Sequence, residues 1–214
     1  MDASKITLKT FALSIFMVLV LESVFRLTIS GQPAALLLRL GILRLIEAFV
    51  LVFITLHLEK DPGAIGLSRS TLLPGIIRGL IWAACFGAAA GALFLVLLAA
   101  GVDALKLLGN PATSTRRHVI VFFLVGGVVG PVTEEIFFRG IIYGFFRQWG
   151  VAVAVVVSTL LFVFIHPVGA NLPLTQLVGG IVFAIAYEKE KSLMVPIAVH
   201  TLGNLAIFSL MFFA

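Results

Sequence analysis

Six polar side chains stand in otherwise apolar surroundings, and their types are those of acid–base chemistry. Glu134 and Glu135 are adjacent carboxylates in the segment Pro131-Val-Thr-Glu-Glu-Ile-Phe-Phe-Arg139. Adjacent residues on a helix point about 100° apart, so the two carboxylates cannot serve one point equally. The i, i+4 spacing makes Arg139 the partner of Glu135 and leaves Glu134 facing another way with no local partner. Such a carboxylate can take a proton from water, the work of a general base. The plainer alternative is a Glu-Glu-Arg network that only ties helices together.

Two further segments add an imidazole each. Phe162-Val-Phe-Ile-His166 places an aromatic ring one turn before a histidine, which Pro167 follows. His200-Thr-Leu-Gly-Asn204 puts an imidazole and an amide on one helix face. Taken singly, His166 reads as a cap or interface residue, and the His200/Asn204 pair as an interhelical hydrogen bond. Taken together, the three segments supply one base, two imidazoles and one amide donor from three neighbouring stretches of chain.

The elements that must position them follow from composition. Of 214 residues, 61% are hydrophobic and 12% charged, against roughly 25% charged in soluble domains. That deficit excludes a disordered chain, a nucleic-acid binder and an ordinary soluble enzyme, and makes lipid the solvent. The expected fold is all-α: a polytopic membrane helix bundle forming a single integral membrane domain over 1–214. A spanning helix needs about 20 apolar residues. Seven segments qualify: 7–29, 34–58, 76–101, 118–146, 151–166, 172–187 and 193–213. The fifth and sixth are short. The fourth contains Gly126, Gly127, Gly130 and Pro131; a kink or split there would make an eighth element. The stretch after Lys5 and Lys9 is too long and too charged for a signal peptide, and reads as an uncleaved first span. Cys85 reads as a small packing residue.

The net charge of +5 reflects loop residues that orient a multi-pass protein in the cell membrane. With the N-terminus cytoplasmic, the inside set is Lys5, Lys9, Lys60, Arg69, Arg78, Arg147, Lys189 and Lys191. The outside set is Lys106, Arg116 and Arg117. Glycines four apart (Gly75/Gly79, Gly87/Gly91, Gly126/Gly130, Gly140/Gly144) predict close helix approach. Spans one and two hold a separate group of charges. Glu22/Arg26 and Arg44/Glu47 are spaced to pair along their own helices, and Arg39 near a helix end is placed to snorkel. Of the four acidic residues within spans, Glu134 alone lacks an arginine nearby on its helix. Counted at about 1.5 Å per residue, Glu134, His200 and Asn204 lie about 18, 10 and 16 Å from the inner ends of their spans, and His166 about 24 Å. Convergence therefore requires tilt or a shifted span.

The three segments resemble the motifs of the CAAX-protease and bacteriocin-processing family, which includes the type II CAAX prenyl endopeptidases. That family carries Glu-Glu-x-x-x-Arg, Phe-x-x-x-His and His-x-x-x-Asn in this order, and all three are intact here within 118–213. The resemblance implies an intramembrane endopeptidase acting on a membrane-associated or lipidated protein or peptide. Glu134 would activate the attacking water with His166 as partner, and His200 and Asn204 would stabilise the oxyanion. Glu135, Arg139 and Phe162 would support them. The expected mechanism uses no cofactor. An alternative within the family is zinc held by Glu134, His166 and His200, although the His-Glu-x-x-His helix motif is absent. The expected partners are the substrate and the bilayer, with no nucleic acid. Two other classes compete: a non-enzymatic immunity or scaffold protein, in which the four polar residues tolerate substitution, and a proton or ion pathway, for which no inverted repeat is visible.

Overall fold

The structure is a computed structural model and describes residues 6–28, 33–102, 118–166 and 173–213. Lys5, Lys106, Arg116, Arg117 and Pro167 lie outside the described residues. Among the described residues the regular structure is all helical, in seven helices. They are α1 (Leu8–Thr28), α2 (Pro33–Leu58), α3 (Arg69–Ala99), α4 (Val119–Trp149), α5 (Val151–Ile165), α6 (Leu174–Glu190) and α7 (Met194–Phe213). A short 3-10 turn, Pro62–Ile65, precedes α3. Four stretches are long and apolar enough to cross a membrane: Leu8–Thr28, Pro62–Ala99, Val119–Trp149 and Met194–Phe212. The 15 residues of α5 and 17 of α6 reach only about 22 and 26 Å against a hydrocarbon core of about 30 Å.

The helices match the apolar segments closely, with two differences. α3 begins at Arg69, seven residues before the apolar run, because the polar first turn extends the helix without registering as hydropathy. α4 does not split at its glycines and Pro131. It stays one helical run and absorbs the disturbance by widening into π geometry at Val125–Val129 and again at Ile136–Tyr143. Such wide turns accommodate extra residues inside a helix and are frequent at functional sites.

α4 is the centre of the bundle. Its Ile136, Ile141, Tyr143 and Phe145 form the main core with Ile6, Leu51, Ile65, Ala154, Ala184, Tyr187, Leu193 and Ile197. Small residues set the spacing of its neighbours. A Cβ at Gly127 would come within 2.7 Å of Leu205, and one at Gly144 within 2.8 Å of Ile6. Gly79 does the same for α3 against Ala198 of α7. Among the described residues Gly87 and Gly91 meet nothing within 4 Å, so that spacing brings no described helices together.

One end of the bundle is stitched by polar bonds. Glu59 at the end of α2 accepts from the Thr7 N–H (2.9 Å) and hydroxyl (2.8 Å). The Leu193 N–H donates to Gly66 O, the Ser192 hydroxyl to Thr71 O, and Arg78 and Trp82 both donate to Glu190. Gly66 is needed there: its φ is 75°, and a side chain would strike the Leu193 nitrogen. Glu188 gathers the most donors: Tyr143 OH at 2.7 Å, Arg147 at 2.9 and 3.0 Å, and Lys191 at 2.7 Å. Burial alone would raise the pKa of Glu188, but the bonds from Arg147, Lys191 and Tyr143 outweigh it and hold the group at about 2.

A carboxylate held below its unfolded value of 4.5 stabilises the fold above that pH and loses the contribution as pH falls toward 2. Glu188→Gln should therefore lower Tm in detergent at pH 7. The gap to wild type should close progressively on acidification below pH 4.5. A gap that stays constant down to pH 3 would show that charge is not what Glu188 contributes.

Candidate active site

α4 presents its two carboxylates in different directions, as adjacent helical positions must. Glu135 points into the bundle and is fully buried with Arg139, whose Nη1 donates to its Oε1 at 2.9 Å. The other end of the guanidinium donates to Gly180 O of α6 at 3.1 Å. Aromatic faces take the remaining surface: the guanidinium carbon lies 4.8 Å from the Phe162 ring centre and 5.2 Å from that of Phe183. A guanidinium is weakly hydrated and favours ring faces, so this environment suits arginine better than lysine.

His200 of α7 completes that cluster. Its Nδ1 lies 2.7 Å from Glu135 Oε1, and its ring stacks on Phe183 at 4.6 Å. His166, just past the end of α5, is tied in a similar way: its Nδ1 is 2.7 Å from Phe162 O. A backbone carbonyl and a carboxylate only accept, so both Nδ1 atoms must carry the proton. Both Nε2 atoms then point elsewhere, and they point at the same atom. Glu134 Oε2 is 3.7 Å from His166 Nε2 and 3.8 Å from His200 Nε2. Glu134 and His166 retain about a quarter of their side-chain surface exposed.

The depth mismatch of His166 closes for a local reason. Helical side chains lean toward the N-terminus of their helix. α4 and α5 follow one another antiparallel, so Glu134 leans away from the shared end and His166 leans toward it. The bond from His166 back to Phe162 O is this lean made visible. Phe162, 3% exposed, fills the space among His166, His200 and Arg139. Asn204 takes a different position: its Nδ2 donates to Gly126 O of α4 at 3.0 Å.

Three groups near the site carry no signal in the sequence. Phe183 is one of 19 phenylalanines, and nothing local marks it as the floor of a histidine. Gly180 contributes only a carbonyl. Thr133 ties α4 to α2 through its hydroxyl, which donates to Arg44 O at 2.8 Å. Arg44 itself pairs with Glu47 on its own helix, as expected, and also with Glu22 of α1 at 2.7 Å. The expected partner of Glu22 was Arg26, but packing brings Arg44 of the next helix to it instead. This group is not separate from the Glu134 cluster: Glu47, 1% exposed, lies within electrostatic reach of Glu134.

The converging atoms are three acceptors: one carboxylate oxygen and two imidazole nitrogens. The gaps exceed hydrogen-bond length and match polar groups bridged by a water. Zinc is a second candidate by donor type. Its bonds of about 2.0–2.2 Å place tetrahedral donors roughly 3.3–3.6 Å apart, closer than the two gaps here. Among the described residues no group of three His, Cys, Asp or Glu is gathered to hold a metal ion. As placed, these donors do not close on one.

The family model for Rce1-like type II CAAX prenyl endopeptidases matches residues 116–206, the stretch that contains every residue of this cluster. The resemblance to that family lies in this stretch, which is less than half of the chain. It is 32% identical over 104 residues to the membrane-embedded CAAX protease MroQ of Staphylococcus aureus (strain USA300), covering 44% of this chain and 42% of that protein. It is 33% identical over 89 residues to YdiL of Bacillus subtilis (strain 168), covering 41% and 36%. The matches thus span less than half the length of either curated relative. No solved structure matches the chain. The shared stretch begins before α4 and ends part-way along α7, and the α1–α3 portion lies outside it.

Breaking the buried ion pair from one side leaves a charge uncompensated, at a cost of about 3–5 kcal/mol. Glu135→Gln should lower Tm in detergent by roughly 6–12 °C or more. Replacing Glu135 and Arg139 together with Leu and Met should cost much less. Equal losses for the single and double variants would show that the pair itself is not the source.

Proposed function

We propose that the chain is an intramembrane endopeptidase that hydrolyses a peptide bond of a membrane-associated or lipidated protein or peptide, using a water activated by Glu134. The observation that carries this is the meeting of Glu134 with two imidazoles whose other nitrogens are already bonded. A water bridging Glu134 and His166 loses a proton to Glu134 as its oxygen attacks the scissile carbonyl carbon. The carbonyl electron pair becomes the oxyanion. His200, when it carries both protons, and the second amide hydrogen of Asn204 are the donors that receive it. The carbon–nitrogen bond then breaks, and Glu134 returns the proton to the leaving amine. Glu135 holds His200 from behind and Arg139 holds Glu135, so the donors are placed before charge develops.

The finer topology belongs to the same proposal: seven crossings with the N-terminus cytoplasmic. Lys9, Lys60, Arg69, Arg78, Arg147, Lys189 and Lys191 flank the helix ends stitched together at one end of the bundle, which is the arrangement the positive-inside rule requires. The family, and the relative described as a CAAX protease, make a prenylated C-terminal cysteine segment the first substrate to try.

The test is cleavage of an internally quenched peptide near a farnesylated cysteine, beside its unfarnesylated twin, by the full chain in liposomes. Glu134→Gln should lower kcat by about 10²–10⁴-fold or more with Tm unchanged. A chelator should leave the wild-type rate unchanged. Turnover by Glu134→Gln at the wild-type rate would sink the assignment, and loss of activity to the chelator with recovery on zinc addition would replace the mechanism.

A further inference from the structure

Gly126 carries a carbonyl that its own helix cannot serve. In a regular helix its donor is the N–H four residues on, but the Gly130 N–H reaches one residue further back, to Val125 O. The next donor in a wide turn would be residue 131, which is proline and has no N–H. The proline ring also crowds the carbonyl four residues before it, which accounts for the helix widening at this point. A backbone carbonyl without a donor at lipid depth is costly, because no bulk water replaces the missing bond.

Asn204 supplies the donor from α7, with Nδ2 at 3.0 Å from Gly126 O. The approach is possible because α7 lies against glycines: a Cβ at Gly127 would come 2.7 Å from Leu205, and one at Gly126 3.2 Å from Phe208. Asn204 is one helical turn beyond His200, which is bonded to Glu135. α7 is thus fastened to α4 at two points, Gly126 and Glu135, on either side of Glu134 in the chain.

We propose that Pro131 and Asn204 form a positioning pair: the proline strips Gly126 O of its helical donors, and the asparagine that replaces them sets the register of the His200 helix against the Glu134 helix. Its relevance to catalysis rests on the endopeptidase reading above. Asn204 keeps one amide hydrogen on Gly126, so the orientation of the other is determined before any substrate binds. Proline is then a requirement of the site, placed where a helix interior ordinarily excludes it.

The test is a double-mutant cycle on the full chain, read by Tm in detergent and by cleavage of the farnesylated peptide. Asn204→Ala and the isosteric Asn204→Asp should each lower Tm by about 3–6 °C. Pro131→Ala restores an N–H that serves Gly127 O in a regular turn and lets the Gly130 N–H return to Gly126 O, so Asn204→Ala in that background should lower Tm by less than about 1 °C more. Pro131→Ala alone should keep wild-type Tm or exceed it, yet lower kcat about tenfold with KM unchanged. Equal Tm losses for Asn204→Ala in both backgrounds would overturn the pairing, as would wild-type Tm for Asn204→Asp if Pro131→Ala does not accumulate. Wild-type kcat in Pro131→Ala would overturn the positioning role. The Tm cycle needs no substrate, so a complete lack of cleavage by the wild type would count against the endopeptidase reading alone.

Discussion

The buried contact between Arg139 and Glu135 is the constraint on which the rest of the structure depends. Neither group can stand alone at lipid depth, where an uncompensated charge costs several kcal/mol. Each therefore draws partners from other helices. Arg139 takes the Gly180 carbonyl of α6 and the ring faces of Phe162 and Phe183, and Glu135 takes His200 of α7. Satisfying two charges thus brings α4, α5, α6 and α7 to one place. Glu134, the next residue along, is left at the edge of that cluster with two imidazoles in front of it.

The tertiary arrangement uses the helix backbone as much as the side chains. α4 runs through two wide stretches and a proline without breaking, and each departure from regular geometry frees or redirects a backbone group. In water such groups would be solvated at little cost. In lipid they must be answered by the protein, and Asn204 answers one. The same reasoning explains the division of polar bonds between the two regions of the bundle. The stitched end uses many exposed or half-buried bonds around Glu59, Glu188 and Glu190, while Glu135, Arg139 and His200 form a buried network in the interior.

Much of this was legible in the residues themselves. Helix boundaries followed the apolar runs because backbone groups in apolar surroundings must bond within their own helix. The i, i+4 pairing of Glu135 with Arg139 and the isolation of Glu134 needed only helix geometry. Other contacts were not legible. Glu22 turned to Arg44 of the next helix, and Glu47 came within reach of Glu134, because charge spacing along one helix does not reveal which helix lies beside it. Phe183 and Gly180 carried no local signal, since a ring face and a carbonyl are available along the whole bundle.

By itself, then, the sequence determined the solvent, the helical class and the chemical types gathered in 118–213, since each depends on composition or on spacing within one helix. The tertiary structure decided which atoms meet. It placed both Nε2 atoms on Glu134 Oε2 by occupying both Nδ1 atoms, and it turned Asn204 to a carbonyl that Pro131 had left unserved. Those outcomes depend on distances between helices, which packing and the polar contacts between helices settle together.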